Sequence, residues 1–286
     1  MPSTYAHFVF GKKVFRKQPE KVRELIRNNR WLYLIGLHGP DVLFYYKALT
    51  ANPVNTVGFS WHDRPAAEFF EPAAAVCRGL SGERREAALS YLLGFICHFA
   101  LDSMCHGYVE KKIHVSGISH TEIEVEFDRM LMVRDGLDPL RHSLTGHIRP
   151  TAGNAAVIAD FFPDITQEQA ERALRSMIWY NRLLLAPGAG KRALICAVLK
   201  LSGNYEAMRG QLVNRNTNLA CLDSSIRLEK LMERAVPLSV RLSENFLRFL
   251  EGRGRLDPYF EKTFGAGSSW REIPVLSLQE ELRYEV

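Results

Sequence analysis

Hydrophobic side chains recur at helical spacing along most of this chain. From Gly82 to about Ile113, the large apolar residues Leu92, Phe95 and Phe99 follow one another at intervals of three and four positions. This spacing lines up one apolar face along a long helix. Alternating apolar and polar positions, which would indicate strands, do not stand out anywhere in the chain. The pattern therefore predicts an all-α protein.

Further helices are expected where proline, glycine and polar clusters separate segments of helical period. Pro19 precedes a predicted helix over 20–29, because proline tolerates the first turn of a helix. Ser119 followed by Glu122 fits a capping box that starts a helix at residue 120. Pro65 is expected to open another helix across the sequence AAEFF. The remaining predicted helices cover 137–147, 151–161, 166–185, 191–201 and 222–251.

Two segments are expected to depart from long helices. Gly36, Gly39 and Pro40 interrupt the apolar sequence WLYLIGLHGPDVLFYYK, which predicts a buried loop or short helical turns. Beyond Gly252 the density of glycine, proline and serine rises. We therefore expect residues 1–252 to form a single multi-helix domain and residues 253–286 an irregular C-terminal tail.

Composition narrows the class of protein further. Five cysteines, an odd number with no CxxC pair, argue against a disulfide framework and against a thiolate zinc site, so reduced thiols are expected. A formal net charge of +5, without one dense basic stretch, favours anionic partners only mildly. No apolar run approaches the roughly 20 residues of a membrane span. The N-terminal sequence shows no export leader, so a cytoplasmic location is expected.

The strongest chemical signal is a set of metal-competent side chains at regular spacing. The order is His98-x3-Asp102-x3-His106-x13-His120-x3-Glu124. On a helix, the first three of these residues fan over only about 80°, so they point into one cleft. His120 and Glu124 repeat the same geometry on the next predicted helix. Imidazole and carboxylate ligands without thiolate indicate zinc in a hydrolytic site between core helices.

These residues resemble the signature of the bacterial zinc-dependent phospholipase C family, and in particular its short, unexported members. In that family an HxxxD pair, a further histidine and an HxxxE pair supply most ligands of a three-zinc cluster. The chain also contains TYAHFVFG near its start, then GLHGPDVLFYYK and SWHDRPAAEFF, in the family's order. The resemblance covers roughly residues 1–215. Single-strand-specific zinc nucleases share a similar fold and cluster.

The resemblance implies a role for each matching residue in this chain. Two or three zinc ions are expected. The implied ligands are Asp41, His62, His98 and Asp102 for one zinc, His106, His120 and Glu124 for a second, and His7 with bridging Asp102 for a third. Asp41 is also the implied catalytic residue that orients or deprotonates the attacking water. The secreted enzymes complete their third site with an N-terminal Trp amine; here the Pro2 amine, a backbone carbonyl near Ser3 and water are the candidates.

Three functions remain open on the sequence. The leading one is a zinc-dependent phosphodiesterase acting on a phospholipid head group or a smaller soluble diester. The second is a nuclease for single-stranded nucleic acid, disfavoured because aromatic residues near the site are not interleaved with basic ones. The third is a catalytically silent metal-binding protein. An HD-type phosphohydrolase using His62 and Asp63 ranks lower, because it leaves the His98 to Glu124 spacing unexplained.

Neighbouring residues receive supporting roles. Ser90 and Gly94, small and on the same row as His98, are expected to leave room for substrate, and Asp63 is expected to orient an imidazole. His38 is interpreted as a structural residue rather than a ligand. Surface positions are predicted for His114, His142 and His147, and a packing role for Cys105. No amphipathic membrane helix is evident, so soluble diesters are expected to be cleaved better than packed vesicles.

Overall fold

The computed structural model describes residues 4–203, 205 and 209–286. Within these ranges helices and turns build the chain, and the only strand-like pairing is an isolated bridge between Pro65 and Thr263. The prediction of an all-α, single multi-helix domain is confirmed. The α-helices are α1 Thr4–Lys17, α2 Glu20–Asn28, α3 Arg30–Gly36, α4 Pro53–Ser60, α5 Ala67–Gly79, α6 Gly82–Ser116, α7 His120–Arg134, α8 Ala152–Ala159, α9 Gln167–Leu184, α10 Ala189–Leu201, α11 Leu222–Leu250 and α12 Leu278–Arg283. Shorter 3₁₀ helices span Gly39–Tyr45, Trp61–Asp63, Arg209–Gln211, Leu219–Cys221, Pro258–Glu261 and Ser269–Glu272.

Helix α6 is the central element of the core. It packs most extensively against α3 on one side and α11 on the other, and it also contacts α1, α7 and α8. By length and composition α6 is the one helix in the described ranges that could cross a membrane, but 89% of its most apolar window is buried inside the protein. Burial of that kind is the behaviour of a core helix, which explains why apolar residues surround it on almost every face.

The close approach of α3 to α6 corrects one sequence-based expectation. A Cβ on Gly94 would lie 2.1 Å from the carbonyl oxygen of Tyr33, and a Cβ on Gly36 would lie 2.1 Å from that of Tyr91. Ser90 donates a hydrogen bond to the carbonyl of Asn29. The small residues on this face of α6 therefore let two helix backbones touch, and the space expected there for substrate is filled by α3.

The segment after α3 brings a carboxylate to α6. The predicted short helical turns are the 3₁₀ helix Gly39–Tyr45, all of whose residues are buried. Gly39 has a φ of +48°, and a Cβ there would lie only 2.2 Å from Cδ2 of His98. Glycine is needed because it accepts this φ and leaves space for the imidazole. The backbone can thus cross directly over His98 and place Asp41 beside it.

Other helical predictions are confirmed with small shifts at the ends. Helices α2, α6, α7, α8, α9, α10 and α11 match predicted segments. The predicted helix over 137–147 is wrong, because this segment forms turns. Gly136 ends α7 with a φ of +74°, and Pro139 has no amide to donate. Helix α5 also matches, since it begins two residues after Pro65. Helices α1 and α4 are found where no helix was predicted, and α12 forms within the segment that was expected to be irregular.

The segment 253–286 packs against the helical core. Phe260 and Phe264 are fully buried, and Phe264 contacts the aromatic rings of Phe95 and Phe99. Further along, Glu281 on α12 accepts two hydrogen bonds from the guanidinium of Arg227 at 2.9 and 2.7 Å. This paired geometry satisfies both buried charges. Residues 253–286 therefore complete one side of the core beside α6.

Candidate metal centre

Two adjacent helices position most of the predicted ligands. His98, Asp102 and His106 follow one another on one row of α6, and Gly117 ends that helix in a left-handed conformation. The Ser119 side chain then accepts a hydrogen bond from the Glu122 amide and starts α7. The first turns of α7 carry His120 and Glu124. The turn between the helices therefore folds the second pair of side chains back towards the first set.

The first group of side chains surrounds a single point at the centre of the protein. Its members, Asp41, His62, His98 and Asp102, each offer one atom, and all four atoms lie within 4.8 Å of one another. His62 Nε2 lies 3.0 Å from Asp41 Oδ1 and 3.8 Å from Asp102 Oδ2. His98 Nε2 lies 3.1 Å from Asp102 Oδ2 and 3.7 Å from Asp41 Oδ2. Four segments distant in sequence thus meet at one place.

Several of these atoms are buried without a hydrogen-bond partner. They include Asp41 Oδ1, Asp102 Oδ2 and His98 Nε2, although each lies close to an atom of opposite character. Ligand atoms that lie this close together without aligning as hydrogen-bond partners are typical of side chains around a shared metal ion. Zinc bonds of about 2.0–2.1 Å in a tetrahedron separate neighbouring ligand atoms by roughly 3.4 Å, and the measured separations of 3.0–3.8 Å bracket that value. The residues therefore fit a zinc ion.

The second group lies one helical turn further along α6. It consists of His106, His120 and Glu124, whose ligand atoms also lie within 4.8 Å of one another. Glu124 Oε1 is 3.0 Å from His120 Nε2 and 3.5 Å from His106 Nε2. Its other oxygen, Oε2, is buried without a partner. The second group offers three protein ligands, and His120 is partly exposed. Such a site is open, because a coordination position remains for water or substrate.

Backbone carbonyls fix the orientation of two of the imidazoles. His106 Nδ1 lies 2.6 Å from the carbonyl of Phe264, and His62 Nδ1 lies 3.3 Å from that of Gly58. A carbonyl only accepts, so each Nδ1 carries the proton and each Nε2 is directed at the proposed ion. The expectation that Asp63 orients an imidazole is wrong, because Gly58 occupies that position and Asp63 is exposed. The contact of His106 with the Phe264 carbonyl was not predicted, because every residue has a backbone carbonyl and the sequence does not distinguish this one.

A third position is marked by His7 on α1. His7 Nε2 lies 3.1 Å from Asp102 Oδ1, whereas His62 and His98 lie near Oδ2, and the His7 ring stacks on that of His98 with centroids 4.6 Å apart. Asp102 thus presents one oxygen to each of two adjacent positions, as a bridging carboxylate does. Asp128, unrecognised in the sequence, accepts hydrogen bonds from the amides of Tyr5 and Ala6 at 2.9 and 2.7 Å, and so anchors the first turn of α1. Pro2 and Ser3, the other candidates for this position, lie outside the described residues.

The neighbouring histidines divide into buried and peripheral ones. His38 is fully buried, and its Nε2 lies 2.7 Å from Nε2 of His147. One ring must donate and the other accept, and burial lowers the pKa of both, so both are neutral. The predicted surface position of His147 is therefore wrong: its ring stacks on Phe8 and is 8% exposed. His114 is exposed as predicted, and His142 is partly exposed. Cys105 is buried, and all five cysteines are free thiols.

Mutual attraction keeps Asp102, Glu124 and His106 in their charged forms even before an ion binds. Burial alone would raise the pKa of Asp102, but the positive potential of His98, His106 and His7 holds that pKa well below its usual range. Burial would likewise raise the pKa of Glu124, but the neighbouring His120 and His106 outweigh burial and hold that pKa well below its usual range. The two carboxylates raise the pKa of His106 to about 10 despite its burial. Zinc must displace that proton, so its affinity falls in acid.

An open cavity of about 370 Å³ gives access to this centre. Asp41, His62, His106, His120 and Glu124 face into it, so both groups can be reached from the same side. The remaining lining is Phe44, Phe59, Asp63, Glu110, Gly265 and Ala266. Among the described residues that line the cavity there is no lysine or arginine. The cavity therefore presents metal-competent groups beside an aromatic wall and two further carboxylates.

Comparison with known proteins agrees with this geometry. A family model described as zinc dependent phospholipase C matches residues 6–175, which is more than half of the chain and includes every residue of the centre from His7 to Glu124. No curated protein and no solved structure matches the chain at a significant level. A relation to zinc nucleases is not shown.

Proposed function

This chain belongs to the zinc-dependent phospholipase C family, and we propose that it is a hydrolase that cleaves phosphodiester bonds with zinc-activated water. One observation carries the proposal. Buried oxygen and nitrogen atoms of Asp41, His98 and Asp102 converge without hydrogen bonds among them. Leaving such atoms unsatisfied costs several kcal/mol in order-of-magnitude terms. A bound cation removes that cost. The centre also faces an open cavity, which a purely structural metal site would not require, because structural zinc sites are closed.

The residues of the chain divide the chemical work. Zinc supplies Lewis acidity towards phosphoryl oxygens and makes water more acidic. Asp41, buried and facing the cavity with Oδ1 unpartnered, accepts the proton of the attacking water in our proposal. Asp102 and Glu124 would hold the ions, and His62 and His106 are kept in the correct tautomer by their carbonyl partners. No serine or cysteine nucleophile is needed.

The cavity favours a phospholipid head group or a small soluble diester over nucleic acid. Asp63 and Glu110 add negative charge to its lining, and no basic side chain is present among the described lining residues. Binding of a nucleic acid depends largely on lysine and arginine contacts to its phosphates. Phe59 stacks on Phe44 at the cavity wall and is 57% exposed, which offers a surface to an apolar or planar group.

The free thiols also suit a reducing compartment, and we propose that the protein acts in the cytoplasm.

Metal analysis together with a substrate panel tests the proposal. The protein purified without added metal should contain two or three zinc ions, and it should hydrolyse a phosphocholine diester faster than a cyclic nucleotide or single-stranded DNA. Asp41→Asn should abolish hydrolysis, whereas the exposed Asp164→Asn should retain it. Zinc-loaded protein that cleaves none of the three substrates would contradict the hydrolase proposal and favour a silent metal-binding protein.

A further inference from the structure

Helix α10 departs from the main core in how it packs. Its buried residues Ile195 and Leu199 join a small separate cluster with Ala186 and Leu212, rather than the core around α6. The helix is thus held to the protein by one narrow face. The opposite face is exposed along the whole length of the helix.

That exposed face of α10 is apolar. Leu194, Val198 and Leu201 are 66%, 55% and 89% exposed, which is unusual for aliphatic side chains at three successive turns of one helix. Ala193 and Ala197 lie between them and are also exposed. At 100° per residue the five positions form one continuous stripe about 140° wide. Helix α10 is therefore amphipathic, although no such helix was expected from the sequence.

The charges on α10 identify a partner. The helix contains Lys191, Arg192 and Lys200 and no acidic residue. On the helical projection Lys191 and Lys200 each lie about 20° beyond one edge of the apolar stripe. Both are exposed, and Lys191 Nζ also donates hydrogen bonds to the carbonyls of Arg182 and Leu185 at 3.0 and 2.7 Å. An apolar stripe between two lysines is the pattern of helices that lie in the surface of an anionic bilayer, where the lysines reach the head groups. A second copy of this chain would instead bring the same lysines together.

Position in the fold connects α10 to the metal centre. The 3₁₀ helix Arg209–Gln211, which follows α10, packs on α7. A Cβ on Gly210 would lie 2.2 Å from Oγ1 of Thr121 and 2.9 Å from Oγ of Ser119, so this contact is at the first turn of α7, next to His120. On the preceding helix α9, Trp179 is also 57% exposed. The segment that follows α10 therefore contacts α7 at the turn that carries His120, one of the residues that line the open cavity.

We propose that α10 docks the protein on an anionic lipid surface, with Leu194, Val198 and Leu201 inserted among the lipids and Lys191 and Lys200 at the head groups. Docking of this kind needs only a helix that lies in the surface of the bilayer. It does not require the proposed hydrolysis, because the stripe and the metal centre share no residue. Vesicle binding and catalysis can therefore be measured separately.

Co-sedimentation with vesicles tests the docking. The full chain should bind vesicles of phosphatidylcholine mixed with phosphatidylglycerol and bind pure phosphatidylcholine more weakly, with affinity falling as salt rises. The double variant L194Q/L201Q should bind the mixed vesicles about ten-fold or more weakly. The matched control Leu282→Gln, which changes a leucine of similar exposure (64%) on α12, should bind like the unaltered protein.

Two further measurements keep the test sharp. Asp41→Asn should bind vesicles as the unaltered protein does, which separates docking from capture of a lipid head group at the metal centre. Failure of the unaltered protein to bind the mixed vesicles would overturn the proposal, as would equal binding by the double variant or equal binding to both vesicle types. A dimer that the double variant abolishes, with no vesicle binding, would assign the stripe to self-association instead.

Discussion

His106 donates the Nδ1 hydrogen to the backbone carbonyl of Phe264 across 2.6 Å, although the two residues are 158 positions apart in the chain. The contact joins the C-terminal segment to the second group of metal-competent residues. Phe264 itself is fully buried against the rings of Phe95 and Phe99. The orientation of a metal-competent imidazole thus depends on the packing of a residue that lies outside the helices carrying the centre.

Removing the Phe264 ring should therefore affect both stability and the second metal position. Phe264→Ala is expected to lower the free energy of unfolding by roughly 3–5 kcal/mol, because it opens a cavity in the core. Phe59→Ala removes the same ring from an exposed position and should cost less than about 1 kcal/mol. Denaturant unfolding and zinc titration of the two variants check the prediction. Equal destabilisation would contradict the buried role of Phe264.

Asp102→Asn should remove activity and at least one zinc ion. An amide presents one neutral oxygen where the carboxylate presents two charged ones to His7 and His98, so turnover should fall roughly a hundred-fold or more. His114→Ala alters an exposed histidine away from the centre and should change neither quantity. Zinc content and hydrolysis of a soluble diester are the measurements. If both variants lose activity equally, the assay reports stability rather than the centre.

His7→Ala tests the third position separately. Among the carboxylates of the centre His7 lies beside one oxygen of Asp102, and its ring stacks on that of His98. Its loss removes a ligand from the third position only, so zinc content should fall by at most one ion. Mass spectrometry under native conditions counts the ions in each form. Three tightly held ions in the His7→Ala variant would exclude a third site at this residue.

Gly94→Ala should destabilise the protein although alanine is the better helix former. The added methyl would meet the Tyr33 carbonyl at 2.1 Å, and forcing α3 away is expected to cost about 1–3 kcal/mol. Gly153→Ala in α8 meets nothing within 4 Å and should stabilise by up to about 1 kcal/mol. Thermal unfolding should show a lower Tm for Gly94→Ala and a higher Tm for Gly153→Ala. A Tm for Gly94→Ala that is unchanged or higher would contradict the close helix contact.

Acid should destabilise the protein in part through His147. Burial lowers the pKa of His147 from 6.5 to about 4. Between these values the unfolded chain holds a proton that the folded protein does not, so stability falls as the pH falls from 6.5 towards 4. The slope from this group is at most about 1.4 kcal/mol per pH unit. His147→Gln should reduce the measured slope over this window, and an unchanged slope would show that His147 is protonated in the folded state.

The local features of the protein were accessible from the sequence alone. The three- and four-residue spacing of Leu92, Phe95 and Phe99 predicts α6, because a helix brings those positions onto one face. The same rule places His98, Asp102 and His106 in one row. These inferences depend on residues within a few turns of one another, and a regular backbone converts such spacing directly into geometry.

Only the tertiary structure decided which distant groups support the centre. The Asp128 carboxylate that caps α1 is more than a hundred residues away, and the Phe264 carbonyl is a group that every residue has. From the sequence, the face of α6 that carries Gly94 was expected to leave space for substrate, but α3 fills that space. Likewise, the spacing on α10 does not say whether its apolar stripe is covered. Long-range packing decides these points, because spacing along the chain specifies faces but does not specify what each face meets.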